Sequence, residues 1–117
     1  MKYALLMYGN TDILANWSDE DRRRVNADVA EVVSRPDVPD YLRLQGTETA
    51  TTLREERGRS LLTDGPFVDS KDFLGGFILV EAESLDGALA VAEELRQIRM
   101  GGAIEIRPVN EEPLVRA

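Results

Sequence analysis

The chain contains no histidine and no cysteine among its 117 residues. These absences exclude disulfide bonds, cysteine-type zinc sites, iron–sulfur clusters and any Ser–His or Cys–His nucleophile built within the chain. A histidine general base is excluded with them. Basic residues are also few: 14 Lys and Arg stand against 22 Asp and Glu, a formal net charge of −8. A chain of that sign repels a phosphate backbone, so no nucleic-acid partner is expected. No apolar run reaches the roughly 18 residues of a membrane span. The apolar start, Tyr3 to Tyr8, has strand length only and no small-residue cleavage site after it. No membrane association and no signal peptide are expected, and the expected compartment is the cytoplasm.

Cofactor signatures are missing too. There is no Gly-x-Gly-x-x-Gly and no P-loop; Gly75-Gly76 and Gly101-Gly102 are isolated pairs. Met7 and Met100 are too few for a cofactor box. Asp64, Asp69 and Asp72 have neither imidazole support nor the spacing of a calcium loop. Neither a cofactor nor a metal is expected.

What is present is an ordinary globular mixture, 43% hydrophobic and 31% charged. Its length matches one domain of ~100–150 residues, taken as residues 1–117. Tyr3 to Tyr8 reads as a central strand ending at Gly9-Asn10. Ser18 is the expected N-cap of a helix, with Asp21 three residues on as its capping-box partner. Val25, Val29, Val32 and Val33 form that helix's apolar stripe, and Pro36 and Pro39 close it. Acidic Asp19, Glu20 and Asp21 precede basic Arg22, Arg23 and Arg24, an order that suits the helix dipole. Tyr41 to Gln45 alternates as a second strand. Thr49–Glu55 and Arg59–Thr63 flank Arg57-Gly58 as a β-hairpin.

Phe73 to Glu81 is the strongest strand, with a bulge or close backbone approach expected at Gly75-Gly76. A second helix starts at Ser84 and carries Leu85, Ala88, Leu89, Ala92 and Leu95. Ala103 to Arg107 is the last strand, and residues 109–117 are expected to fray or drape over a partner. Without the hairpin the order is βαββαβ, so the expected fold is α+β, ferredoxin-like, with an inserted hairpin. Two helices cover one sheet face. The apolar side chains on the other face ask for a second copy, hence an expected homodimer.

Thr63-Asp64-Gly65-Pro66-Phe67 is the most distinctive passage. Asp-Gly-Pro is turn chemistry, and its structural reading is a tight link with Phe67 plugged into the core. The passage resembles the YCII-related proteins, in particular the group named for its Asp-Gly-Pro-Phe (DGPF) motif. The likeness extends through Tyr3–Tyr8, Ala50–Arg54, Leu62–Phe67, Ser70–Asp72, Leu74–Phe77, Glu81–Asp86 with Ala88, and Gly102–Val109. It is weakest from Asp12 to Thr49. The resemblance implies a dimeric α/β barrel of ferredoxin-like subunits. It also implies relatives of several kinds: suspected enzymes with a His–Asp pair, proteins joined or neighbouring to sigma factors, and a branch with dehalogenase-type activity. With no histidine, a His–Asp mechanism does not carry over.

Candidate site residues follow from side-chain chemistry. Asp64, if buried beside Phe67, is a candidate acid or base; otherwise it is an Asx-turn cap. Lys71, between Asp69 and Asp72, is a candidate anion ligand or a surface ion pair. Arg107 shares a strand face with Glu105 and is either a bidentate carboxylate clamp or a cross-strand partner. Arg43 and Arg54 carry the same ambiguity. Tyr3 and Tyr8 fall on opposite faces of the first strand, and the Tyr8 phenol is a candidate ligand contact, with Phe67 beside it in that role. Trp17 precedes the Ser18 cap and is a candidate hydrophobic staple. Two functions fit. One is a cofactor-free enzyme acting on a small metabolite, with Asp64 as acid/base and Lys71 or Arg107 holding an anion. The other is a non-catalytic small-molecule-binding or regulatory interaction module of the sigma-factor-associated type.

Overall fold

The strand β1 (Lys2–Asn10) alternates strictly in burial: Tyr3, Leu5 and Met7 are buried on one face while Ala4, Leu6 and Tyr8 are half-buried on the other. The computed structural model describes residues 1–99 and 101–115; Met100 and the last two residues of the tail lie outside the described residues. Residues 109–115 contain no helix or strand, and the tail is tied at its start by the Val109 N–H donating to the Lys2 carbonyl at 2.9 Å.

After β1 the chain forms a short helix, α1 (Thr11–Ala15), that sequence periodicity does not announce. Five residues are too few to show a 3.6-residue repeat, so the helix depends on its cap. The Asn10 side chain accepts from the Asp12 and Ile13 N–H groups at 3.0 and 3.2 Å. The next helix, α2 (Asp19–Val33), begins as expected. The Ser18 hydroxyl accepts from the Asp21 N–H, and the Asp21 carboxylate accepts from the Ser18 N–H, both at 3.0 Å. Val25, Val32 and Val33 are buried and Val29 half-buried, so the valine stripe is the packing face.

The second strand, β2 (Asp40–Arg43), is shorter than expected and wholly exposed at the sheet edge. A single turn of 3-10 helix (Thr47–Thr49) leads into the hairpin of β3 (Thr51–Glu56) and β4 (Arg59–Asp64). Arg57 and Gly58, with φ of 51° and 78°, form the two-residue turn. The hairpin is a separate two-stranded sheet, an arm whose strands pack extensively only on each other.

β5 (Asp72–Glu81) pairs with β1, and the register slips between Met7 and Tyr8, leaving Gly75 as the bulged residue. Gly76 lies so close to the Leu42 carbonyl that a Cβ there would collide with β2. α3 (Leu85–Ile98) and β6 (Ala103–Pro108) complete the chain. The Ser84 side chain makes no capping bond. The buried stripe of α3 is Ala88, Val91, Ala92 and Leu95; Leu85 and Leu89, expected within it, are half exposed at its margin. Ala88, Val91, Ala92 and Leu95 keep the i+3/i+4 spacing of one helix face, and Leu89 stands one residue, about 100°, around from Ala88.

The four-stranded sheet runs β2-β5-β1-β6, antiparallel throughout, and the core lies between its helix-facing side and helices α2 and α3. Leu5, Ile78, Val80 and Leu95 are its most enclosed members. This is the ferredoxin-like α+β fold, with the hairpin inserted between β2 and β5. Among the described residues no helix is long and apolar enough to cross a membrane.

Candidate functional site

A cleft of about 250 Å³ lies between α2 and the helix-facing side of the sheet. The volume is near the lower end of ligand pockets, ~300–1,000 Å³. Its apolar wall follows from the fold. Val25, Val29 and Val33 come from the valine stripe of α2, and Met7 and Ile78 from the two central strands. Aromatic surface is added by Trp17, Tyr41 and Phe73. Gly9 makes room for one of these: it pairs across the sheet with Phe73, whose ring would sit 2.8 Å from a Cβ at position 9.

Three polar side chains join the lining: Asn26 from α2, Arg43 from β2 and Arg99 from the C-terminus of α3. Arg99 is partly buried, and burial pushes its guanidinium below the usual arginine range. One terminal nitrogen donates to the Tyr8 carbonyl at 3.1 Å. Among the described residues, no carboxylate lies within ion-pair distance of Arg99 or Arg43. The contrast is with Arg35, which pairs with Asp37 and Glu94 and is held above the ordinary arginine value chiefly by its hydrogen bond to Glu94. The approach of Arg99 to Tyr8 depends on Gly102. At φ +82° it adopts a conformation that suits glycine, and a Cβ there would strike the Tyr8 carbonyl.

The residues singled out from sequence stand mostly elsewhere. Asp64 is exposed at the end of β4 and is not buried beside Phe67. Phe67 is not plugged into the core but 70% exposed. The Gly65 turn, at φ +107° and with its N–H donating to the Ala50 carbonyl at 2.8 Å, leaves the chain beside the arm, which offers no core to fill. Lys71 is exposed and paired with Asp12 at 2.8 Å, a residue from α1 rather than a sequence neighbour. Arg107 and Glu105 do share the open sheet face, 4.0 Å apart and both exposed.

Tyr3 is buried on the helix side and Tyr8 faces the other way, as alternation predicts. The Tyr8 side chain helps line a separate groove between the open sheet face and the base of the arm, with Leu44, Ala50, Pro66 and Val68. Only its carbonyl reaches Arg99. Arg99 is the residue that sequence reasoning missed. Its one local signal is a cation at the end of a helix directly before Gly101-Gly102, a pattern that also describes ordinary dipole compensation.

Fold and cleft together define an antiparallel α+β protein with a small, largely apolar cavity beside the sheet. Residues 1–113 match the YCII-related domain, and the chain belongs to that family. It is also 36% identical, over 114 residues, to an uncharacterised protein of Rhizobium meliloti (strain 1021), a match covering 93% of this chain and 92% of that one.

Proposed function

We propose that this YCII-related protein binds a small organic molecule in the cleft between α2 and the sheet. The observation that carries this reading is the lining itself: valines, a methionine and aromatic residues form a concave apolar surface, with Asn26, Arg43 and Arg99 as the few polar groups. Such sites use apolar area for affinity and sparse polar groups for orientation. The rival reading, an acid–base enzyme working through Asp64 with Lys71 or Arg107, has less support. Those side chains are exposed and none of them lines the cleft.

A thermal-shift screen against small metabolites tests the proposal, run in parallel on Ala30→Trp, which fills the cleft from α2. A ligand at 100 times its Kd stabilises the native state by ~2.7 kcal/mol and raises Tm by several degrees. The expected result is a shift in the wild type that disappears in a still-folded Ala30→Trp. An equal shift in both would place the ligand elsewhere and overturn the reading.

We further propose that the working form is a homodimer in the cytoplasm, with no nucleic-acid partner for so acidic a chain. The subunit exposes 8794 Å², whereas a compact chain of this mass exposes ~6,300 Å². Its radius of gyration is 16.6 Å, against ~13 Å for a compact chain of about 100 residues. The open sheet face keeps half-buried Leu6, Phe77 and Leu79, and the arm adds Leu53 and Leu62, which pair across the strands and are each about two-thirds exposed. An isolated hairpin is marginal in water, and a second copy would cover both surfaces.

A further inference from the structure

We infer that the cleft recognises a small carboxylate with an apolar body, held through Arg99 with Arg43 as a second cationic contact. This inference rests on the cleft being the binding site and adds the charge and class of its ligand. The guanidinium of Arg99 has five N–H donors, of which one terminal nitrogen is engaged by the Tyr8 carbonyl. The remaining donors meet no carboxylate among the described residues, although the chain carries 22 acidic side chains.

Some exposed cations here find carboxylate partners, and others, such as Arg54 and Arg59, stand in solvent without an ion pair among the described residues. Lys71, Arg96 and Arg107 are each about two-thirds or more exposed and each is paired. Arg99 is the more enclosed group and is left with donors to spare. Its bond to Tyr8 and the close approach of Gly102 hold the fork in place. Arg43, a second arginine with no carboxylate partner among the described residues, lines the same cavity. Planar forks of this kind match carboxylate oxygens two at a time. Phosphate offers similar oxygens, but the apolar wall and the volume of about 250 Å³ favour one small acid group on a hydrocarbon or aromatic body.

Trp17 gives the test its readout, because it is the chain's one tryptophan and it lines the cleft. Its fluorescence is titrated with benzoate and phenylacetate, with the matched neutral amides benzamide and phenylacetamide, and with inorganic phosphate. The titrations use the wild type, Arg99→Gln, Arg99→Lys and Arg43→Gln, each checked for folding by its melting curve. The expected result is binding of the carboxylates at least tenfold tighter than the amides. That preference falls to near parity in Arg99→Gln, and weakens in Arg99→Lys and Arg43→Gln.

Amides that bind as tightly as carboxylates and perturb Trp17 would overturn the anion inference while leaving the cleft as a site. Phosphate that competes as well as the carboxylates would overturn the assignment of ligand class. Probes that leave Trp17 unchanged up to millimolar concentration would overturn the cleft and this inference together. The comparison of acid with amide needs only the wild type, so it stands even if a variant fails to fold.

Discussion

The Arg99 guanidinium donates to the Tyr8 main-chain carbonyl at 3.1 Å, a bond between residues 91 positions apart that joins the end of α3 to the end of β1. It brings the side chain that faces the cleft into contact with the strand that forms the cleft's floor. Arg99→Met removes the bond, a loss of about 0.5–1.5 kcal/mol, but also removes a partly desolvated cation that has no carboxylate beside it among the described residues. The two effects oppose each other. The expected melting temperature of Arg99→Met without ligand is within a few degrees of wild type. A loss of more than about 3 kcal/mol in a urea titration would instead make Arg99 a structural brace.

Gly76 and Leu42 meet at the sheet edge, where a Cβ on Gly76 would collide with the Leu42 carbonyl. Gly76→Ala should therefore push β2 outward, at a cost of about 1–3 kcal/mol typical of overpacking. Tyr41 and Arg43 ride on β2 and line the cleft, so ligand affinity should fall along with stability. Hydrogen exchange at Leu44, whose N–H donates to the Gly75 carbonyl at 2.9 Å, should speed up in the variant. Unchanged protection there would show that the edge absorbs the methyl group.

The capping box of α2 gives a pH prediction. The Asp21 carboxyl is held below its ordinary value, first by the Ser18 backbone N–H and next by the Ser18 side chain. A carboxylate depressed on folding contributes stability above its unfolded pKa, and that contribution is lost as pH falls through the lower folded value. Asp21→Asn should melt below wild type at neutral pH, and the gap should close in acid. Ser18→Ala, which removes the hydroxyl acceptor for the Asp21 N–H, should cost about 1 kcal/mol at neutral pH. Parallel Tm curves for Asp21→Asn and wild type down to the acid limit would remove Asp21 from the account.

The arm predicts an association state. Leu53 and Leu62 face each other across β3 and β4 on a hairpin with little other support. Charged replacements at both, Leu53→Lys with Leu62→Lys, should convert a dimer to a monomer in sedimentation at micromolar concentration. The isolated subunit should retain its helix signal, since the core is formed by α2, α3 and the four-stranded sheet. A wild type that sediments as a monomer would reassign the arm to docking a different protein, in line with the interaction-module reading.

Much of the fold was legible because the signals are local. The Ser18–Asp21 box, the Arg57-Gly58 turn, the bulge at Gly75 and the apolar strand Tyr3–Tyr8 each involve residues within a few positions of one another. Where expectation and structure part, a longer range is involved. The stripe of α3 runs through Val91 instead of Leu89, because packing against the rest of the fold selects which helix face is buried. Phe67 is exposed because the arm beside it has no core. Lys71 chose Asp12, 59 residues away, over the two aspartates next to it.

The amino-acid sequence alone decided what chemistry is missing, the order of strands and helices, and the family to which the chain belongs. Those follow from side-chain inventory, periodicity and caps, which act over a turn or a strand. The cleft was decided by the tertiary structure. Its lining is drawn from both ends of the chain, and whether an arginine finds a carboxylate depends on which distant segments pack beside it. Arg99 and Tyr8 meet only because the antiparallel sheet brings β6 against β1 and two glycines turn the chain between α3 and β6.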